Sequence, residues 1–280
     1  MLTTSELRVL TQDDRADLLA LLGRDPVANV FVASRVHAAA GQPWRLAGDL
    51  WGHTTAGDLD GACWSGANLV PAEASADSLP VFAERARRQG RRCSSIVGPA
   101  DLVLPLWALL EPSWGPAREV RDDQPLMATH GAAAALADPL VRPVRVDEID
   151  QLLPACVAMF TEEVGVSPNG YDGGAVYRAR VAELVRTGRA FARFDGDQVV
   201  FKAEIGAVTP EVCQVQGVWV HPELRGKGLS VGGMAAVVEL ARASIAPTVS
   251  LYVNAWNQAA RHCYQRVGFH ELGTFATVLF

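Results

Sequence analysis

The stretch Gln216-Gly217-Val218-Trp219-Val220-His221-Pro222-Glu223-Leu224-Arg225-Gly226-Lys227-Gly228-Leu229-Ser230 decides how this chain is read. An apolar run is stopped by a proline, and a glycine-containing loop then opens into a helix. Val212 to Val220 is rich in β-branched residues that suit a pleated strand, and Pro222 cannot continue its ladder. Beyond the loop, Val231, Met234, Val237, Val238 and Ala241 recur every three or four residues, which predicts one apolar stripe on a helix from about Leu229 to Ser244. Pro247 then forces a turn. Such a junction leaves unbonded backbone N–H groups at the positive end of a helix dipole, a setting that suits phosphate oxygens. Gly226 and Gly228 let the main chain approach an anion with no Cβ in the way. The pattern is neither a P-loop nor Gly-x-Gly-x-x-Gly. Taken alone, it leaves an anion site and an ordinary turn into a helix both open.

The following residues narrow the choice. Thr248 to Val253 reads as a second strand, and Asn257 is placed to cap a helix on which Ala260, Cys263, Tyr264 and Val267 fall at helical spacing. Gly268 ends that helix. This series of strand, Arg-Gly-x-Gly loop, helix, strand, Asn, Tyr and Gly-Phe resembles the GNAT superfamily of acetyl-CoA-dependent N-acetyltransferases. The resemblance spans Val141 to Phe280 and is most specific from Val212 to Phe269. Arg225, Gly228 and Ser230 stand at the family's signature places, with Ser230 replacing the usual small apolar residue. More narrowly, the chain looks like bacterial proteins in which a GNAT domain follows an N-terminal domain of unassigned role.

The resemblance implies acetyl-CoA as co-substrate and no metal. It implies that backbone around Val218, Trp219 and Val220 pairs with the pantetheine arm, as an added strand would. The pyrophosphate would lie on the N–H groups of Arg225, Gly226, Lys227, Gly228, Leu229 and Ser230. Lys227 adds a point charge there or is simply solvated. Asn257 caps the last helix and reaches the cofactor, although capping alone accounts for an asparagine there. Tyr264 takes the place of the family's general acid, for which a phenol suits a departing thiolate; a packed core tyrosine is the alternative.

The base is less determined. Glu204 lies on a strand with Lys202 two residues away on the same face. Glu162 and Glu163 end a helix next to the Gly165–Tyr171 segment where a substrate loop would lie, and His221 follows the cofactor strand. Glu204 is the favoured candidate, with a water chain as alternative. No Ser/His/Asp arrangement is evident, and Cys213 and Cys263 read as small apolar residues.

Composition excludes several classes. With 49% hydrophobic and 20% charged residues, the 280-residue chain is a folded protein with room for two domains. Its five cysteines lack metal or disulfide spacing, so reduced thiols and a cytoplasmic setting are expected. The start shows no signal peptide, and the longest apolar run, Leu102 to Leu110, is far below the ~20 residues that span a bilayer. Residues 1–140 carry twelve arginines against seventeen carboxylates, and the rest is nearly balanced. No nucleic-acid footprint and no membrane partner follow from that balance. The one basic run, Arg85, Arg87, Arg88, Arg91 and Arg92, sits at a helix end where cations suit the dipole.

The fold class expected is α/β (α+β): a C-terminal GNAT-like mixed sheet flanked by helices, preceded by a second α/β domain. Residues 1–130 form that first domain, the small-residue-rich Gly131 to Leu140 is a linker or short helix, and 141–280 carry the acetyltransferase domain. In the second domain the pattern predicts a strand at Val141–Val146, helices at Asp147–Val164 and Gly174–Thr187, and strands near Ala190–Phe194 and Val199–Val208 joined by an Asp-Gly turn. The first half repeats that order more faintly. Where its loop should stand it has Pro71-Ala72-Glu73-Ala74-Ser75-Ala76-Asp77, with no glycine and two carboxylates that repel a pyrophosphate. A degenerate GNAT-like copy without cofactor is one reading, and an unrelated α/β domain the other. The expected function is acetyl transfer to a small amine or a protein amino group, with a homodimer left open. An acetyl-CoA sensor without turnover and an enzyme using another acyl-CoA are the alternatives.

Overall fold

In the computed structural model of the chain, residues 5–40, 46–170 and 173–280 are described. In chain order the elements are β1 (Ser5–Val9), α1 (Arg15–Leu22), α2 (Val30–Ala38), β2 (Gly48–Thr55), β3 (Asp58–Gly66), β4 (Asn68–Ala72), α3 (Ser78–Gln89), β5 (Ser95–Pro99), α4 (Ala100–Trp114) and β6 (Glu119–Thr129). They continue with β7 (Arg142–Pro143), α5 (Ile149–Val164), α6 (Ala175–Arg186), β8 (Ala190–Asp195), β9 (Gln198–Val208), β10 (Val212–Val220), α7 (Leu229–Ser244), β11 (Thr248–Tyr252), α8 (Gln258–Val267) and β12 (His270–Leu279). No described helix is long and apolar enough to cross a membrane.

By compactness the chain forms two units. One holds the residues through Met127 together with Tyr252–Asn257 and Glu271–Phe280; the other holds Ala128–Leu251 and Gln258–His270. The first unit's sheet runs β1-β2-β3-β4-β5-β12-β6. Its strands pair antiparallel from β1 to β4, β4 pairs parallel with β5, and β5 pairs antiparallel with β12. Alternation along the strands feeds two cores. Leu50, Ala62 and Trp64 meet Leu18, Leu22 and Val36 of α1 and α2, whereas Trp51, Cys63 and Ile96 meet Phe82 of α3 and Leu106 of α4. With helices on both faces, these strands have little need of polar residues.

The second unit's sheet runs β7-β8-β9-β10-β11. Three antiparallel pairings again lead to one parallel pair, β10 with β11. Leu152, Cys156, Val181 and Val185 of α5 and α6 pack with Ala192, Val199 and Trp219 on one face. On α7, Gly233 has no Cβ because the Phe201 ring would stand 2.7 Å from it. The two units therefore share one order of strands and helices, the mixed α/β arrangement that the sequence pattern predicts.

Several expectations need correcting. The strand expected over Val141–Val146 shrinks to Arg142–Pro143. Beyond Pro143 the chain enters a 3-10 turn in which Glu148 accepts from the Arg145 N–H at 2.8 Å and from Arg142 Nη2 at 2.7 Å. The Gly131–Leu140 segment is not helical. It is a strap on the second unit: the Ala134 N–H donates to Val267 and the Asp138 N–H to Gly232, each at 2.9 Å, and the Asp138 carboxylate pairs with Arg193 at 2.7 Å. Strands β1 and β12 are additions, and β12 joins the first unit although it ends the chain. The basic run is a paired helix end, with Arg87 and Arg88 on Glu84 and Arg85 over the Trp51 ring.

Because β12 lies between β5 and β6, ending the chain after Gly268 removes an interior strand of the first unit. Hydrogen exchange of the amides within Ser95–Gly98 that face β12 should then rise to unprotected rates; protection retained there would contradict this strand order.

Candidate active site

Strands β10 and β11 are in register only from Val212 with Thr248 to Gln214 with Ser250. Beyond Gln214 the parallel ladder stops, while β10 keeps pairing with β9 on its other edge, where the register shifts between Gln216 and Trp219. Gly217, at φ +60°, forms that bulge. The β11-facing edge of β10 is thus left without a strand partner along the residues Val218, Trp219 and Val220 that sequence reasoning singled out. Trp219 itself turns its side chain inward, where Nε1 donates to Glu162 at 3.3 Å.

The same strand runs into the glycine loop. Gly226 and Gly228 have φ of +76° and +83°, and a Cβ on either would meet nothing within 4 Å. Gly228 precedes α7 with no side-chain cap. The Val231 N–H closes on the Gly228 carbonyl, so the residues just ahead of it form a helix start, the kind of place whose N–H groups suit phosphate oxygens. Gly226 to Ser230 hold no carboxylate and one exposed cation, Lys227, and the exposed Glu223 and Arg225 precede them. A pyrophosphate fits this donor set. Ser230 hydrogen-bonds Cys263 and so ties α7 to α8, which gives the hydroxyl a partner at its unusual position.

At the loop's root the Arg225 N–H donates to the Pro222 carbonyl at 3.3 Å, and its side chain is turned back, with Nε donating to the Val220 carbonyl at 3.1 Å and Nη2 to Glu162 at 2.7 Å. Glu162 therefore anchors the loop. It is not a free base, and sequence reasoning missed this contact because its partners lie on separate elements.

Tyr264 lies on α8, 7% exposed, beside Phe269 at 5.9 Å between ring centroids. Burial, with Cys263 and Glu163 adding to it, pushes its hydroxyl above the usual tyrosine range. Asn257 stands just ahead of α8 and belongs to the first unit by compactness; its N–H donates to Asn254 at 2.9 Å. His221 bonds Gln198 and faces Trp219 edge-on. The substrate-loop candidate Gly165–Tyr171 is described up to Gly170, and Tyr171 lies outside the described residues.

Glu204 sits beneath the bulge. Its Oε2 accepts from Lys202 Nζ at 3.2 Å and its Oε1 from Gln216 Nε2 at 3.1 Å. A Cβ on Gly217 would stand 3.1 Å from the Glu204 carboxyl carbon, and one on Gly206 would stand 2.0 Å from Gln216 Oε1. Both glycines are slots for this polar group. A glycine inside a strand signals such close approach, so Gly206 was the available clue to Gln216.

Comparison with known proteins agrees with this geometry. Residues 167–269 match the acetyltransferase (GNAT) family, and residues 48–152 match a domain of unknown function, DUF4081. Residues 167–269 form a GNAT acetyltransferase domain. No curated protein is significantly similar in sequence. Among solved structures, a GNAT-family acetyltransferase from Colwellia psychrerythraea is 12% identical, with 98% of this chain and 99% of that one covered and a TM-score of 0.58. A GCN5-related N-acetyltransferase from Sphaerobacter thermophilus is 14% identical, over 98% and 95%, with a TM-score of 0.59. A tandem GNAT protein from the clavulanic acid biosynthesis pathway is 16% identical, over 99% and 98%, with a TM-score of 0.54. At these identities the likeness shows the fold alone. The GNAT domain brings acetyl transfer from acetyl-CoA as its class of chemistry.

The first unit offers a contrast at the place equivalent to the GNAT loop. Its parallel pair, β4 with β5, is registered only at Asn68 with Ser95 and Leu69 with Ile96. There the Ser75 N–H donates to Ser78 Oγ at 2.7 Å, and the Ser78 N–H that opens α3 donates to Ser75 Oγ at 3.2 Å. The adjoining cleft, ≈ 570 Å³, is lined by Asp25, Asn29, Glu73 and Asp101, with no Lys or Arg among the described lining residues.

Gly228→Val in the GNAT loop forces a β-branched residue into a left-handed conformation and fills the space beside it. The strain alone is worth about 1–2 kcal/mol, so equilibrium titration should show acetyl-CoA affinity reduced by at least ~10-fold. Gly131→Ala, at an equally open but ordinary position, should leave it unchanged.

Proposed function

We propose that this chain is an N-acetyltransferase that passes the acetyl group of acetyl-CoA directly to the amino group of a small amine or a protein, with its active site in the second unit. One observation carries the reading. The β10 edge that β11 leaves beyond Gln214, which an amide-bearing arm would extend as an added strand, leads straight into the glycine loop of Gly226 to Ser230. Acetyl-CoA would supply an activated acetyl thioester.

The chain's residues then have four tasks. Backbone at Val218 to Val220 and at the loop fixes the co-substrate, and positioning of this kind is worth roughly 7–11 kcal/mol in the best cases. Glu204 takes the proton that the acceptor ammonium must lose, directly or through a water. The bulge at Gly217 gives the carbonyl a place beside that carboxylate. Tyr264 returns a proton to the departing thiolate, and its raised pKa keeps it in the donor form. Cysteine nucleophiles are disfavoured, because burial raises the Cys156 thiol and pushes Cys213 up to about 12. The first unit, with Ser75 and Ser78 bonded to each other at the start of α3 and a cleft lined with carboxylates, takes no acetyl-CoA in this reading.

Thiol release measured across a panel of primary amines tests the proposal, together with calorimetry of acetyl-CoA binding. One site per chain and turnover with at least one amine are expected. Binding without thiol release on any amine, or two sites per chain, would overturn it. Tyr264→Phe should lower kcat by about 10²-fold or more with little change in acetyl-CoA affinity. Because burial raises the phenol's pKa, the group stays protonated to higher pH than a free tyrosine. The alkaline fall in kcat should therefore begin above the ordinary value of ~10, and a fall centred there would remove Tyr264 as the acid.

A further inference from the structure

Lys202 is 1% exposed on a central strand, a place where lysine is almost never found unless paired. Its Nζ lies 3.2 Å from Glu204 Oε2 and 3.4 Å from Cys156 Sγ. The other oxygen of Glu204 is held by Gln216, whose amide lies in the slot left by Gly206, and Gly217 clears the space above the carboxylate. An ammonium, an amide and two glycines thus fix one carboxylate beneath the bulge.

The groups around that carboxylate come from four elements. Lys202 faces it from β9, Gln216 from β10, Cys156 from α5 and Tyr177 from α6, and Tyr177 donates its hydroxyl to the Cys156 carbonyl at 3.0 Å. Burial raises both the Cys156 thiol and the Tyr177 phenol, so both are neutral. Lys202 is the one cation among these groups. Burial alone would strip its proton, yet the neighbouring Glu204 and Cys156 outweigh it and raise its pKa.

A buried ion pair is weak ground for stability, since apolar side chains of similar volume often serve as well. It does control the charge of its partner. We propose that Lys202 is a positioning residue for acetyl transfer: its buried ammonium orients the Glu204 carboxylate under the β10 bulge and faces it as its counter-charge until the acceptor arrives. This rests on the reading of Glu204 as proton acceptor. When Glu204 takes the proton, the acceptor's N–H bond breaks and a carboxyl O–H forms. Lys202 is then a buried cation without its counter-charge. That imbalance drives the proton on to solvent and restores the pair for the next turnover.

The test is a carboxyl ¹³C titration of the full chain labelled in glutamate, with the Glu204 signal identified by its loss in Glu204→Gln. An opposite charge within ~4–6 Å shifts a carboxylate by about 1–3 pH units. Lys202→Met should therefore raise the Glu204 midpoint by that amount, whereas Lys202→Arg should leave it in place. In the unsubstituted protein the Lys202 ¹⁵Nζ signal should move in step with the Glu204 titration. A Glu204 midpoint unmoved in Lys202→Met overturns the proposal. Should that variant not fold, a Lys202 ¹⁵Nζ signal indifferent to Glu204 overturns it equally. Full thiol release by Glu204→Gln would instead remove Glu204 as the base, a separate failure that the titration does not share.

Discussion

Strands β10 and β11 run side by side for three residue pairs and then part, and much of the second unit is arranged around that parting. A parallel ladder ordinarily continues, because each buried N–H or carbonyl left unpaired costs about 1–3 kcal/mol. Here the bulge at Gly217 turns β10 away while β9 still holds its other edge. The loop that follows extends the same logic, since four N–H groups at a helix start have no intrahelical partner and must find one elsewhere. Strand edge and helix start are adjacent along the chain.

The first unit shows what happens when the same scaffold lacks that demand. Its parallel pair is shorter still, but Ser75 and Ser78 exchange hydrogen bonds at the start of α3. Glu73, at φ +51°, accepts from Asn29 at 2.8 Å and places a carboxylate just beyond β4. The difference between the units is therefore local chemistry on a shared backbone plan: a glycine loop against a pair of bonded serines, and open space against negative charge.

Beneath the bulge, packing and charge are joined. Gln216 occupies the volume that Gly206 leaves empty, and Lys202 and Glu204 occupy a layer otherwise built from apolar side chains. A polar group set this deep is costly unless every member is partnered, and here each is held by the next. The half-exposed Glu162–Arg225 pair contributes little energy by comparison, and its effect is geometric, fixing where the phosphate loop begins.

Features that act over a few residues were legible in the chain itself. The apolar stripe of α7, the Asp195-Gly196 turn, the Gly226 and Gly228 loop and the shared face of Lys202 and Glu204 all follow from periodicity, propensity and backbone freedom within one turn or one strand. Strand β12 was not assigned, because its choice of neighbour is a question of register rather than propensity; it pairs with β5, far back in the chain. The Gly131–Leu140 strap escaped for a related reason, since its small residues specify no structure until Val267 and Gly232 offer partners. Tertiary structure alone joined Glu162 to Arg225, 63 residues apart, and Lys202 to Cys156, 46 apart. The sequence by itself determined most of the elements and the strand–glycine loop–helix junction, because those are set by short-range sterics and hydrogen bonding. Which strand fills which sheet, and which carboxylate is held and which is left free, was decided only when distant side chains met in a common core.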